Sequence, residues 1–307
     1  MSVPGSAAIL FVALALPRAA QSVRLNGDMP RGRVATGPFA DTPDGLRVLY
    51  VSSAGGLPEL YSVPRLGGAS VRLGTADELG AARDFQLDER SDRVVLRTRT
   101  PADEDRLTSL AVGGGALVAL VDDGRTIASY RIARGSGDVV LRARSGAGPE
   151  QLLSVAATGG ALRTLSGAPV QGREVTSFEP SADGAHVVFL GDLLTDGRNE
   201  LFSAPVDGSR PFVRLSPDLT GFPGRFEVRR FALAADAESA AFTVADTDLY
   251  VVPLAGGTPL LLDSATRIED IAHFAFTPDG STLVVLADYE TRLRDELFRV
   301  PRDGSRA

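Results

Sequence analysis

The chain has 307 residues, 44% of them hydrophobic and 23% charged, with a formal net charge of −7. That balance allows a large buried core and argues against a general nucleic-acid binder, whose affinity rests on neutralising phosphates. The absence of cysteine excludes disulfides and thiolate metal sites, and no run reaches the roughly 18 apolar residues of a membrane span.

Residues 1–20 form an apolar N-terminal segment. Ala7 to Leu16 has the length of a signal-peptide core, but no Lys or Arg precedes it and the cleavage motif is poor. The alternative is a degenerate extra copy of the motif described next. Residues 21–307 carry that motif throughout. Ser22 to Leu25, SVRL, matches one of its four strands without the two that should precede it.

Three columns recur six times. The first is an aromatic before a turn: Phe39, Phe85, Tyr130, Phe178, Phe231 and Phe274. The second is a leucine: Leu60, Leu107, Leu152, Leu201, Leu249 and Leu297, spaced 47, 45, 49, 48 and 48 residues apart. The third is a glycine: Gly67, Gly114, Gly159, Gly208, Gly256 and Gly304. Each copy reads as four strands, here a to d. Turns such as TPDG at 42–45 and 277–280 and SADG at 181–184 separate strand a from an apolar, β-branched strand b. Val, Ile, Leu, Tyr and Phe in short runs bounded by Gly, Pro and Asp are the strand-and-turn signal. Four strands in each of six copies predict an all-β, six-bladed β-propeller. The blades are 36–75, 81–121, 125–166, 173–216, 227–263, and 268–304 completed by 22–25, so that the N-terminal strand closes the ring.

The a–b and c–d turns are short. The b–c and d–a connections are longer and differ from copy to copy, for example 98–106, 191–199, 216–227 and 287–296. In an up-and-down blade these alternate connections share one face. Variable loops on a rigid scaffold are where binding concentrates.

The pattern F-x-x-TPDG…VV…LF-x-VP-x-DG resembles the WD40-like (PD40) repeats of TolB-like propellers, over residues 22–307. The resemblance implies a periplasmic or exported protein of the cell envelope. The alternatives are a cytoplasmic protein, the propeller part of a larger peptidase, or a metal-dependent hydrolase of the six-bladed lactonase type. That last type holds its cation with Glu, Asn and Asp, and this chain has only Asn26 and Asn199. No separate N-terminal α/β domain like that of TolB is visible.

No catalytic set emerges. There is no G-x-S-x-G elbow, and His186 and His273 have no evident nucleophile beside them in sequence. The reading is therefore a non-catalytic monomer without cofactor. It binds a protein, peptide or glycan on the long-loop face. Arg and aromatic residues dominate binding hot spots, which selects Phe222 and Arg225 in one loop, Tyr289, Arg292 and Arg294 in another, and Arg229 and His273 at the start of inner strands. No metal site is expected. The weak candidates for one are Asp103, Asp105, Asp246 and Asp248, whose default role is solvated loop charge.

Overall fold

A computed structural model describes residues 25, 34–53, 59–74, 81–90, 92–100, 102–220, 226–262, 270–288 and 294–305. Among them there are strands and turns and no helix. The first blade is β1 (Val34–Asp41), β2 (Arg47–Ser53), β3 (Glu59–Pro64) and β4 (Val71–Arg72). The second is β5 (Ala81–Leu87), β6 (Arg93–Arg99), β7 (Asp105–Ala111) and β8 (Val118–Val121). The third is β9 (Thr126–Ile132), β10 (Asp138–Arg144), β11 (Gln151–Ala156) and β12 (Arg163–Thr164). The fourth is β13 (Val175–Pro180), β14 (His186–Gly191), β15 (Glu200–Pro205) and β16 (Val213–Arg214). The fifth is β17 (Val228–Leu233), β18 (Ser239–Val244), β19 (Asp248–Pro253) and β20 (Leu260–Leu261). The sixth is β21 (Ile271–Phe276), β22 (Thr282–Ala287) and β23 (Glu296–Pro301). Every sheet is an antiparallel meander in chain order, and together they make the six-bladed propeller expected from the repeat.

Burial explains the strand compositions. Strands b and c of a blade are covered on both faces by neighbouring blades, so they read as continuous apolar runs rather than alternations. The cores lie between consecutive blades. Leu49, Leu60, Val94 and Leu96 join the first to the second, and Val95, Leu107, Val139 and Leu141 the second to the third. Val140, Leu152, Phe189 and Phe202 join the third to the fourth, Val188, Leu201, Phe242 and Val252 the fourth to the fifth. Ala241, Leu249, Val285 and Leu283 join the fifth to the sixth. The leucine column is therefore an inter-blade core column through its first five copies. Strand d is only two residues long in most blades, and its closing leucine does the packing: Leu73, Leu165 and Leu215 are buried. Ion pairs hold it to strand c, as between Arg214 Nη1 and the fully buried Glu200 at 3.1 Å.

The seam between the last and first blades differs. The sixth sheet has three described strands, and Leu297 in it is 73% exposed. The expected closing strand falls on Ser22, Val23 and Arg24, which lie outside the described residues, as do residues 1–20. Leu25 is described. It packs against Tyr50, Tyr61 and Val63 on the face of the first blade opposite the second. Leu73 has that same relation to the second blade.

Candidate functional site

The inner strands share a local irregularity that positions the site. In β17 the register runs Val228↔Val244 and then Arg230↔Thr243, so Arg229 is an inserted residue, a β-bulge. The bulge breaks the alternation of side chains, and Arg229 and Arg230 both line one cavity of about 310 Å³. The same break occurs before Ser177 in β13 and before His273 in β21, and both of those residues line the same cavity. Strand a enters from the long d–a connection, so this cavity sits at the long-loop end of the channel.

Asp246 organises the arginines. It stands in the b–c turn of the fifth blade with φ 63°, a left-handed conformation that Asp tolerates better than most residues. Its carboxylate meets Arg229 Nη1 at 2.9 Å and Arg230 Nη2 at 3.4 Å. Glu227 lies 3.5 Å from Arg229 Nε. Arg230 Nη1 also donates to the Ala272 carbonyl, reaching across to the sixth blade. The Asp246 carbonyl accepts the Ile271 N–H at 2.7 Å, which ties the turn to the start of β21. The two guanidiniums are held in place while more than half of each one's five N–H donors meet no acceptor among the described residues. His273, exposed at the same mouth, adds an aromatic donor or acceptor.

The opposite end of the channel is a second cavity, of about 500 Å³, lined by Arg131, Arg134, Glu179, Leu233 and Thr277. Four inner strands, from the third to the sixth blade, converge there on the short-turn face. Convergence of first strands at both ends shows that they line one axial channel.

Of the residues chosen from the sequence, Arg229 and His273 come together in the long-loop cavity. Arg294 does not line it; it is exposed and pairs with Glu296 at 3.5 Å. Phe222, Arg225, Tyr289 and Arg292 lie outside the described residues. The neighbouring Phe226 packs against the core between the fourth and fifth blades. Ser177 and Arg230, which also line the long-loop cavity, are not among the residues chosen from the sequence. A bulge inserts one residue without any compositional mark, so nothing local in the sequence shows that both arginines face the bore.

The four acidic candidates have protein partners. Asp105 is buried, accepts the Ile127 N–H at 3.0 Å and pairs with Arg97 at 3.1 Å. Asp103 pairs with Arg99 at 2.7 Å. Asp246 holds the arginine pair, and Asp248 accepts the Thr247 hydroxyl at 3.4 Å. Asn199 bridges blades instead of pointing to a cation: its side-chain oxygen accepts from Thr176 at 3.4 Å and its carbonyl from Val228 N at 2.8 Å. Among the described residues no three His, Asp or Glu side chains gather as a metal-holding group. No described helix is long and apolar enough to cross a membrane.

No protein-family model matches the chain, and no curated protein does. Solved structures do. An oligogalacturonate lyase in complex with manganese is 13% identical over 85% of this chain and 87% of its own, with TM-score 0.43. A protein assigned as TolB from Agrobacterium tumefaciens is 14% identical over 74% of this chain and 80% of its own, with TM-score 0.41. A prolyl endopeptidase is 15% identical over 85% of this chain and 39% of its own, with TM-score 0.49.

Proposed function

We propose that the protein is a non-catalytic, TolB-like binding propeller, periplasmic or exported, that holds a peptide segment of a protein partner at the long-loop end of its channel. The observation that carries this reading is the bulge-borne pair Arg229 and Arg230 beside His273 in one cavity. Asp246 and Glu227 offset much of the arginine charge. The mouth therefore offers directed donors more than a net positive field. Directed donors suit the carbonyl and carboxylate oxygens of an extended peptide, since guanidinium forks match such acceptors in pairs. The TPDG and LF-x-VP-x-DG repeats support the TolB-like placement.

The test is selection of a random peptide phage library on the immobilised protein, followed by calorimetric titration of the enriched peptides. The double variant Arg229→Ala/Arg230→Ala is expected to weaken them at least about tenfold. Arg65→Ala, on the short-turn face, is expected to leave them unchanged. Failure to enrich any peptide, or equal affinity for the double variant, would overturn the reading.

A further inference from the structure

A third cavity, of about 390 Å³, lies away from the channel, in the slot between the fourth and fifth blades. It arises where the fourth blade departs from its siblings in two ways. The first departure is at the opening residue of strand b, which faces a serine of strand c. In the first blade Arg47 Nε donates to Ser62 Oγ at 2.6 Å. In the second, Arg93 Nε donates to Ser109 Oγ at 2.8 Å. In the third the serine reaches the next blade instead, Ser154 Oγ donating to the Val206 carbonyl at 2.7 Å. In the fourth blade the residue is His186 and the serine is Ser203. The imidazole is too short to do what the guanidinium does. Ser203 is 1% exposed and its hydroxyl has no hydrogen-bond partner among the described residues. A buried hydroxyl without a partner costs free energy and calls for an explanation.

The second departure is the c–d turn. Pro205 to Leu215 is one residue longer than Pro64 to Leu73, Ala156 to Leu165 or Pro253 to Leu262. The longer turn brings Arg210 to the rim of the cavity. Neither the His186 ring nor the Arg210 guanidinium hydrogen-bonds a described residue. The remaining wall is apolar, chiefly Pro205, Val213 and Leu254. Val213 pairs with Ser203 and so shares its face of the sheet, while the Phe212 ring turns to the other face, against Phe189 and Phe202.

We infer that this slot is a binding site for a small monocarboxylate with an apolar body. The carboxylate accepts from Arg210 and His186 and offers the acceptor that the Ser203 hydroxyl lacks. The apolar body lies against Val213, Pro205 and Leu254. A volume of this order suits a ligand of roughly a dozen heavy atoms or fewer, at the small end of ordinary ligand pockets. Three polar groups without a hydrogen-bond partner among the described residues border this apolar cavity, with the Asp183 carboxylate near enough to His186 to interact with its charge. The site does not depend on the channel reading.

The experiment titrates benzoate, phenylacetate and hexanoate, each against its uncharged amide, by ligand-observed NMR on the full chain. At least one carboxylate is expected to bind saturably and at least about tenfold more tightly than its amide. Arg210→Ala, an exposed position, is expected to weaken it about tenfold. His186→Arg restores the residue of the first two blades. It is expected to fill the cavity, abolish binding and hold or raise the melting temperature. Arg229→Ala/Arg230→Ala is expected to leave the carboxylate's affinity unchanged. The inference falls if no carboxylate saturates, if amide and acid bind alike, or if binding survives both Arg210→Ala and His186→Arg. It falls equally if only the channel variant removes binding.

Discussion

The two faces of the propeller use the same strands for opposite ends. On the short-turn face one device repeats. Asp44, Asp183, Asp236 and Asp279 each accept the backbone N–H two residues on, at 2.9, 3.0, 3.0 and 3.2 Å. These side chains mimic a turn's own backbone bond, which is why Asp recurs there. On the long-loop face the connections differ in length and composition, and the arginine pair belongs to the fifth blade alone. The difference teaches that a repeat can hold one rim constant for stability while the other varies for recognition.

The largest expected effect is one that breaks the comparison. Asp105 lies at the long-loop end but is a structural clamp, buried against Arg97 and bonded to the third blade through Ile127. Asp105→Ala leaves both partners unmatched and should lower stability by about 3–5 kcal/mol in urea unfolding. A loss under about 1 kcal/mol would mean the pair is solvated.

Next come two glycines of matched conformation on opposite faces. Gly184 and Gly197 have φ of 67° and 68°. An added Cβ at Gly184 would stand 1.7 Å from the Arg134 carbonyl, whereas at Gly197 it would meet nothing. Gly184→Ala should therefore carry both the left-handed penalty and a backbone clash, about 3 kcal/mol together. Gly197→Ala should carry the first alone, about 1–2 kcal/mol. Equal losses in chemical denaturation would show that the short-turn face is no more tightly built than the other.

The smallest effect is acid sensitivity, and it sharpens the comparison. Four turn aspartates of the short-turn face have carboxyls held below their ordinary range. At Asp183 burial is the largest single influence and opposes the shift, but the Ser181 hydroxyl, the Ala185 N–H and the nearby His186 together outweigh it. The hydroxyls of Ser209, Thr277 and Ser305 act likewise on Asp207, Asp279 and Asp303. A depressed folded-state value means the stabilisation is complete above the unfolded value, about pH 4, and is lost as pH falls through the folded one. Asp279→Asn should flatten the fall of stability in acid below about pH 4, with a small loss of stability at neutral pH where the carboxylate's contribution is complete. An acid profile identical to wild type would refute the assignment.

Much of the architecture was legible because it is written in turn chemistry and period. The TPDG and SADG turns, the β-branched strands b and the leucine column locate strands to within a residue or two. His186 opens β14 two residues after the SADG turn, and Thr282 opens β22 two residues after TPDG. The site was less legible, for three physical reasons. Bulges carry no residue signature, so the joint exposure of Arg229 and Arg230 is a matter of register. Charge partners are non-local: Asp105 and Asp246 look alike in sequence, yet one is sealed between blades and the other lines up two channel arginines. The slot beside His186 becomes visible only when the opening residues of strand b, Arg47, Arg93, Asp138 and His186, are set against one another, since it is the break in that column that matters.

The bulge has a consequence for how such a bore can change. An inserted residue has no opposite number in the ladder, so Arg229 can be exchanged while Val228 and Arg230 keep their partners on β18. Each blade carries a register break in its innermost strand. The interior thus has a tier of positions whose chemistry can be rewritten one blade at a time without renegotiating the sheets around them.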